Sequence, residues 1–508
     1  MKAFFKKRRN LRGLLALLVC LALLPVGVLP GMALATGSDE VFEASPVCAI
    51  NGVGYESFDL ALASAVNGDT ITLLRSFNHY EAVVLQGKSI TIATNGFVMN
   101  VDPQNGNAFQ VIDATLSLDD SAGGSLNATC TNDWSTGAVV NNSSGHITLS
   151  NVRSSLGIYV QGGSITVKGD VVCTHSANAY NTAVTVRYGG VAHISGNVIS
   201  AGCGLDVHYY NSAAYVGGDV IAEDNWGIRI SCIIATLMSD DLPFTDMDLG
   251  EAVWQPEQDL EQQAIVAQSS AIVYPSAEVN GNVICSSNRL STYGIYSDSN
   301  TNVFVSGDVI SVGGAAVMNN GEGRILIGGD CTGKVCGISN WGGSVVVRGN
   351  VTGDSAITSR FVAGSVSVLG NVIGREMGVD AARGSTVSIE GFISVAYGGT
   401  YILIDNLVRN AADYESFTQL TGYRQYANYA TTDSVSFVWV KVPVVGAPGS
   451  GDLDGDGYVT MNEALIVAQA VVGSVTLDAQ QRAAVDMDGD GAITMTDVLL
   501  IMRKALGL

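Results

Sequence analysis

Residues 164–172 read SITVKGDVV, and the chain writes that phrase repeatedly. It returns as VAHISGNVI at 191–199, AAYVGGDVI at 213–221, AEVNGNVI at 277–284, NVFVSGDVI at 302–310, RILIGGDCT at 324–332, SVVVRGNVT at 344–352 and SVSVLGNVI at 365–373. The Gly-Asp/Asn pairs begin at 169, 196, 218, 281, 307, 329, 349 and 370, at intervals of 27, 22, 63, 26, 22, 20 and 21. HITLSNV at 146–152 and TVSIEGF at 386–392 extend the series at both ends. Apolar residues alternate for four or five positions and then stop at glycine, the pattern of a short half-buried strand and a tight turn. Within residues 343–363, SVVVR, NVT and SAIT predict three strands per unit. A three-stranded unit near 21 residues suits one turn of a parallel β-helix, in which each coil buries its inner face only against the next. Glycine and Asn/Asp are expected where the chain turns, often with positive φ. About a dozen coils at ~4.8 Å would make a rod roughly 60 Å long. The expected body is thus mainly β, a right-handed parallel β-helix over residues 36–442. A β-propeller would need longer, four-stranded units.

Both ends of this series read as closures. Residues 55–66 place Phe58, Ala61, Leu62 and Ala65 on one helical stripe behind an N-cap at Ser57, and run into a first strand, GDTITLL at 68–74. That helix and strand, followed by GKSITIATNGFVM at 87–99, resemble the start of pectate-lyase-like β-helices in bacterial surface proteins. A cap keeps the open edge of a parallel stack from recruiting other chains. Residues 401–441 leave the period and are expected to close the far end, with 443–451 (PVVGAPGSG) as a flexible linker. The 63-residue interval holds an insertion, about 233–274, with Asp240, Asp241, Asp246, Asp248, Glu251, Glu257, Asp259 and Glu261 and no Lys or Arg. It reads as an acidic surface loop, with a helix possible over 257–268, or as a functional projection from one face.

Residues 1–35 carry a basic start (Lys2, Lys6, Lys7, Arg8, Arg9, Arg12), an apolar run from Leu14 to Leu24 and an Ala-Leu-Ala at 33–35, the three parts of a cleavable export signal. The remainder shows no second spanning segment, so the expected location is extracellular or cell-surface. Without the leader, 19 basic residues face 47 acidic ones, a net charge of −28. That balance excludes nucleic-acid binding through phosphates. Eight cysteines follow the leader, with no CxxC spacing. Cys331 and Cys336 are near enough to pair, and buried free thiols are an equal alternative.

Polysaccharide chemistry on the rod would need paired carboxylates, or a base with a charge-neutralising cation or Arg. Asp119-Asp120 is the only adjacent pair of aspartates on the repeats, and it lacks the companion Asn-Thr-Asp, Gly-His-Gly and Arg-Ile-Lys segments of the polysaccharide-cleaving β-helices. Arg187, Arg229, Arg289, Arg324, Arg348, Arg360 and Arg383 stand singly, without acidic partners at a recognisable spacing. His146 and His193 fall in predicted strands, whereas His79, His175 and His208 read as surface turns. Asn225-Trp226-Gly227 and Asn340-Trp341-Gly342 form a matching pair whose indoles either pack on the next coil or stack on sugar rings. The catalytic residues, if there are any, stay unknown from sequence.

The tail repeats a different phrase. DLDGDGYVTMNE at 452–463 and DMDGDGAITMTD at 486–497 each set acidic residues at loop positions one, three and five, glycine at six and a carboxylate at twelve. This spacing serves a hard cation that takes six to eight oxygens. The expected ligands are Asp452, Asp454, Asp456, the Tyr458 carbonyl and Glu463, then Asp486, Asp488, Asp490, the Ala492 carbonyl and Asp497. Thr460 and Thr494, at position nine, could each hold a bridging water, and Gly457 and Gly491 permit the sharp turn. Two calcium ions are thus expected. At a constant offset of 34, Leu465 matches Leu499, Ile466 matches Leu500, Val472 matches Leu506 and Gly473 matches Gly507, so each loop opens an apolar helix that ends at glycine. GAPGSG before the first loop cannot be an entering helix.

Two loop-plus-exiting-helix units joined by a short segment at 476–485 resemble a type I dockerin, the docking module of cellulosomes. The resemblance implies a small all-α domain over 452–508 that folds with calcium and plugs into a cohesin on a scaffold or surface protein. It also implies contacts from Met461, Asn462, Met495 and Thr496, with Gln469, Arg503 and Lys504 further along the helices. The Ser-Thr pair common in well-studied members is missing here, so the matching cohesin is not identified. Duplicated faces suggest binding in two orientations, with Gln469 against Arg503 breaking the symmetry. Two roles for the whole follow: a docked component of polysaccharide breakdown or carbohydrate binding, or a non-catalytic spacer or adhesin attached through its dockerin.

Overall fold

The computed structural model describes residues 45–132, 134–175, 181–232, 274–360, 364–420, 422–430, 434–442, 448–453 and 459–507. The leader and, apart from Tyr274, the acidic insertion with its expected helix lie outside the described residues, as does most of the linker. The body is a parallel β-solenoid of about 13 turns. Its strands stack in three columns. A typical coil runs Ser164–Val167 in the first, Val171–Cys173 in the second and Thr182–Arg187 in the third.

Stacking is in register, so like sits on like. In the first column Ile165 lies on Ala192, then Ala214, Ala277, Val303 and Ile325. In the second, Val171, Val198, Val220, Val283 and Val309 form one valine ladder. The third stacks Ile158, Val184, Leu205, Ile228 and Ile295. These side chains are buried and form one continuous core along the stack, each valine, leucine or isoleucine worth about 1.5–3 kcal/mol of transfer from water. The alternating pattern thus acts twice, setting which residues point inward and fixing the register between coils. Further along, the third column's interior turns polar at Ser297, Asn319, Asn340 and Ser359. Asn319 donates to Asn340 Oδ1 at 2.8 Å and to the Gly342 carbonyl at 2.7 Å.

The repeated Gly-Asp/Asn has a physical reason different from the expected one. Asp170 Oδ1 accepts the Asn197 backbone N–H at 2.8 Å, Asn197 Oδ1 accepts that of Asp219 at 2.9 Å, and Asp219 Oδ1 that of Asn282 at 2.7 Å. The ladder continues through Asp308, Asp330, Asn350 and Asn371. Each side chain satisfies a backbone donor of the next coil at a turn between strands. The glycines beside them do not have positive φ. They are glycine because coils pass too close: a Cβ on Gly196 would lie 2.3 Å from Asp170 Oδ1, and one on Gly307 2.4 Å from Asn282 Oδ1.

Two further expectations are refined. In the coil at 344–359 the second and third strands merge into one, Val351–Ser359, and the next coil does the same with Val372–Ala381. Thr400–Ile404 still pairs in parallel on the preceding coil, so the period is left only afterwards. Closure comes from Leu407–Arg409, which turns back antiparallel, and from Tyr423–Ala427, antiparallel to Phe437–Lys441. At the other end α1, Phe58–Ser64, is capped by the Ser57 hydroxyl, which accepts the Leu60 N–H, and it buries Phe58 and Ala61. Around the insertion the register is unbroken: Ala213 pairs with Ser276 and Val216 with Val279. The described residues that flank the insertion, Cys232 and Tyr274, thus follow a third-column strand and precede a first-column strand.

Candidate calcium-binding and docking module

Three helices follow the solenoid: α2 (Met461–Val471), α3 (Ala479–Val485) and α4 (Met495–Ala505). α2 and α4 pack together over a small core of Leu453, Ala464, Val467, Leu477, Val485, Val498 and Ile501. Position twelve of each loop caps the helix that follows. Glu463 and Asp497 are buried, and each closes a capping box with the threonine at position nine. Asp497 Oδ2 accepts the Thr494 N–H at 2.9 Å and Oδ1 accepts the Met487 N–H at 2.8 Å. Glu463 Oε2 accepts the Thr460 N–H at 2.7 Å. Thr460 and Thr494 are therefore the N-caps of α2 and α4. Both helices end as expected, with Gly473 and Gly507 in the left-handed region at φ +76° and +69°.

The second loop gathers Asp486, Asp488 and Asp497, each with one carboxylate oxygen within 4.8 Å of one from each of the others. Asp486 Oδ2 accepts the Gly491 N–H at 2.9 Å, while its Oδ1 is buried with no hydrogen-bond partner. Gly491 makes the turn at φ +82°, with nothing near a would-be Cβ, so conformation alone requires glycine. Asp490 Oδ1 accepts the Ala492 N–H at 2.8 Å. Asp488 accepts the Asp490 N–H, which favours its charged form, but desolvation and the charges of Asp490, Asp497 and Asp486 outweigh this and hold its carboxyl above the usual range. An orphaned buried oxygen among converging carboxylates fits a hard divalent cation. In the first loop Asp452 is buried and Leu453 enters the core, whereas Asp454, Asp456, Gly457 and Tyr458 lie outside the described residues.

All seven expected partner contacts are on the surface: Met461, Asn462, Gln469, Met495, Thr496, Arg503 and Lys504. Lys504 also donates to the Ser450 carbonyl at 2.8 Å, tying the module's two ends together. Sequence reading passed over Leu465 and Leu499, which are more than half exposed and one helical turn beyond the methionines. Their signal was present: Ala464 and Val467, matched by Val498 and Ile501, already supply the buried stripe, leaving a second apolar stripe without a core to fill.

On the rod, Asp119 and Asp120 do not act as a pair. Asp119 accepts from the Ser121 hydroxyl at 2.7 Å, which lowers its pKa, and Asp120 sits 2.5 Å from Lys168. Several of the singly placed arginines find partners in the fold. Stacking brings Arg187 to 3.5 Å and Arg229 to 3.9 Å from the buried Asp206, which also accepts from His208 at 2.5 Å. Burial raises the Asp206 carboxyl, but His208, Arg187 and Arg229 more than offset this and hold it below its ordinary value. His208 is thus buried at the end of strand Cys203–His208 rather than in a surface turn. His79 is buried as well, edge-on to Phe58. All eight cysteines after the leader are buried thiols outside any disulfide, Cys331 and Cys336 included. Trp226 stacks on Tyr296 of the next coil, whereas Trp341 donates to the Ser339 hydroxyl.

Fold and site together define a parallel β-solenoid followed by a compact helical module with repeated, carboxylate-bearing loops. Residues 450–506 match the dockerin type I domain, a calcium-binding kind of module that docks on cohesins in cellulosome-like assemblies. The solenoid is consistent with a pectate-lyase-like β-helix. No curated protein and no solved structure matches the chain. Among the described residues no helix is long and apolar enough to cross a membrane.

Proposed function

We propose that the chain is an exported solenoid held on a cohesin-bearing scaffold or cell surface by its calcium-loaded tail. In this reading residues 1–35 direct export, 36–442 form the displayed rod, 443–451 the tether and 452–508 the plug. The observation that carries it is the dockerin match over 450–506. One ion would be held by Asp452, Asp454, Asp456, Tyr458 and Glu463, the other by Asp486, Asp488, Asp490, Ala492 and Asp497, with Thr460 and Thr494 beside them. The docking face pairs Met461 with Met495, Asn462 with Thr496, Leu465 with Leu499 and Gln469 with Arg503, each pair at the same offset of 34. Either helix can then lead into the cohesin. The test is binding of the full chain to a cohesin panel. Calcium-dependent capture is expected, weakened little by Leu465→Asp or Leu499→Asp and abolished by both together. Capture by no cohesin, or capture indifferent to chelator, refutes it.

For the rod, a carbohydrate-facing role is the second reading, favoured by an aromatic cleft on its third column lined by Trp226, Tyr293 and Tyr296. A spacer or adhesin is what stands if no glycan is bound.

A further inference from the structure

The third column presents a cleft of about 420 Å³ between two coils. Trp226 comes from one coil, and Tyr293 and Tyr296 come from the next. Trp226 and Tyr296 stack at 5.7 Å between ring centres, with planes 24° apart, and Tyr293 lies 5.6 Å from Tyr296. Asn225, Ser291 and Thr292 add amide and hydroxyl groups, and Arg229 and Arg289 are the charged residues lining it among the described residues. Among the described residues no acidic side chain lines the cleft itself, although Asp224 pairs with Arg289 beside it and the chain carries a net charge of −22.

The two arginines are held differently. The Arg229 guanidinium lies 5.0 Å from the Trp226 ring centre and is backed by the buried Asp206. Its face is occupied, but a stacked guanidinium still offers N–H groups along its edge. Arg289 is mostly exposed and only 3.4 Å from Asp224, a surface pair that costs little to exchange for another carboxylate. The Trp226 indole N–H is shielded from solvent and has no hydrogen-bond partner among the described residues, a donor an incoming oxygen would satisfy.

We propose that this cleft is a glycan subsite for an acidic pyranose, a uronic acid residue within a polysaccharide. The sugar's C–H face would lie on the aromatic rings, its hydroxyls against Asn225, Ser291 and Thr292, and its carboxylate on Arg289 with Arg229 behind. Flat apolar faces edged by hydrogen-bonding groups match a pyranose, which has one apolar face and a rim of oxygens. Arg229 shares the single buried Asp206 with Arg187, and Arg289 holds only the partly exposed Asp224, so their guanidinium edges favour the charged sugar over the neutral one. This specifies the ligand of the carbohydrate reading above and rests on it.

The experiment is affinity electrophoresis of the calcium-loaded full chain in gels containing polygalacturonate, glucuronoxylan or neutral β-glucan. Retardation is expected in an acidic gel, weakening as salt rises. Trp226→Ala and Arg289→Ala should each reduce it at least about tenfold, and Trp341→Ala, at the matching turn without the cleft, should leave it unchanged. Arg289→Ala alters an exposed side chain, so circular dichroism can verify that its fold is intact whatever Trp226→Ala does. Acidic-gel retardation that Arg289→Ala and Trp226→Ala leave intact would overturn the subsite while the carbohydrate reading stands. Retardation confined to neutral gels overturns the acidic assignment. No retardation in any gel defeats both, with cohesin capture measured in parallel still able to succeed.

Discussion

The rod and the tail are both built from repeats that cannot bury themselves alone, but they are held together by different forces. In the rod, each coil lays Val and Ile on the Val and Ile of its neighbour and passes a backbone hydrogen bond upward through Asn or Asp. Nothing in that arrangement calls for an ion. In the tail, two helices share a core of a few side chains while carboxylates converge beside them. Their mutual repulsion opposes closure until a cation neutralises it. The same residue type thus plays opposite parts: spaced one per coil, aspartate stabilises by accepting N–H groups, and crowded into a loop it demands a metal.

The largest effect that separates the two regions should come from Asp486→Ala. Removing a position-one carboxylate ought to cost the second loop its calcium and lower cohesin affinity by on the order of 100-fold. The rod's melting should not move, and differential scanning calorimetry beside a calcium titration would check both. Next is Gly329→Val. A Cβ there meets Asp308 Oδ1 at 2.2 Å and the Gly307 backbone at 2.8 Å, so the rod should lose about 2–3 kcal/mol in denaturant unfolding while calcium binding is untouched. A smaller effect is expected from Thr494→Ala, which removes the α4 cap and should destabilise the tail by about 1 kcal/mol, read from its chelator-free melting point.

The smallest concerns pH. Hydrogen bonds from Lys441 and Tyr423 hold the Glu390 carboxyl below its ordinary value at the closing strands. A depressed folded-state pKa gives stability that is present above the unfolded value and lost as pH falls through the folded one. Both partners are partly exposed, so Lys441→Met should cost less than ~1 kcal/mol at pH 7 and nothing once Glu390 is protonated. Unfolding curves at the two pH values would check it.

Much of this was legible because repeats announce themselves. The spacing of SITVKGDVV-like phrases predicted the coil, and the twin DxDGDG loops predicted the tail. The role of the repeated glycine was not legible, since a close approach between coils leaves no mark that distinguishes it from a turn. Nor was the Arg187–Asp206–Arg229 group. Those residues lie 19 and 23 apart, and Tyr296 lies 67 beyond Arg229 because the insertion intervenes. Only stacking places them side by side. His208 misled for the same reason: three tyrosine and asparagine neighbours suggest a turn, yet the strand it ends is buried on both faces.

Calcium is expected to order the tail and not the rod. Hydrogen–deuterium exchange on the full chain, with calcium and then with chelator, tests it directly. Protection should collapse across 450–507 on chelation and stay unchanged through 70–404. Equal protection of the tail in both conditions, or loss of protection in the rod, would contradict it.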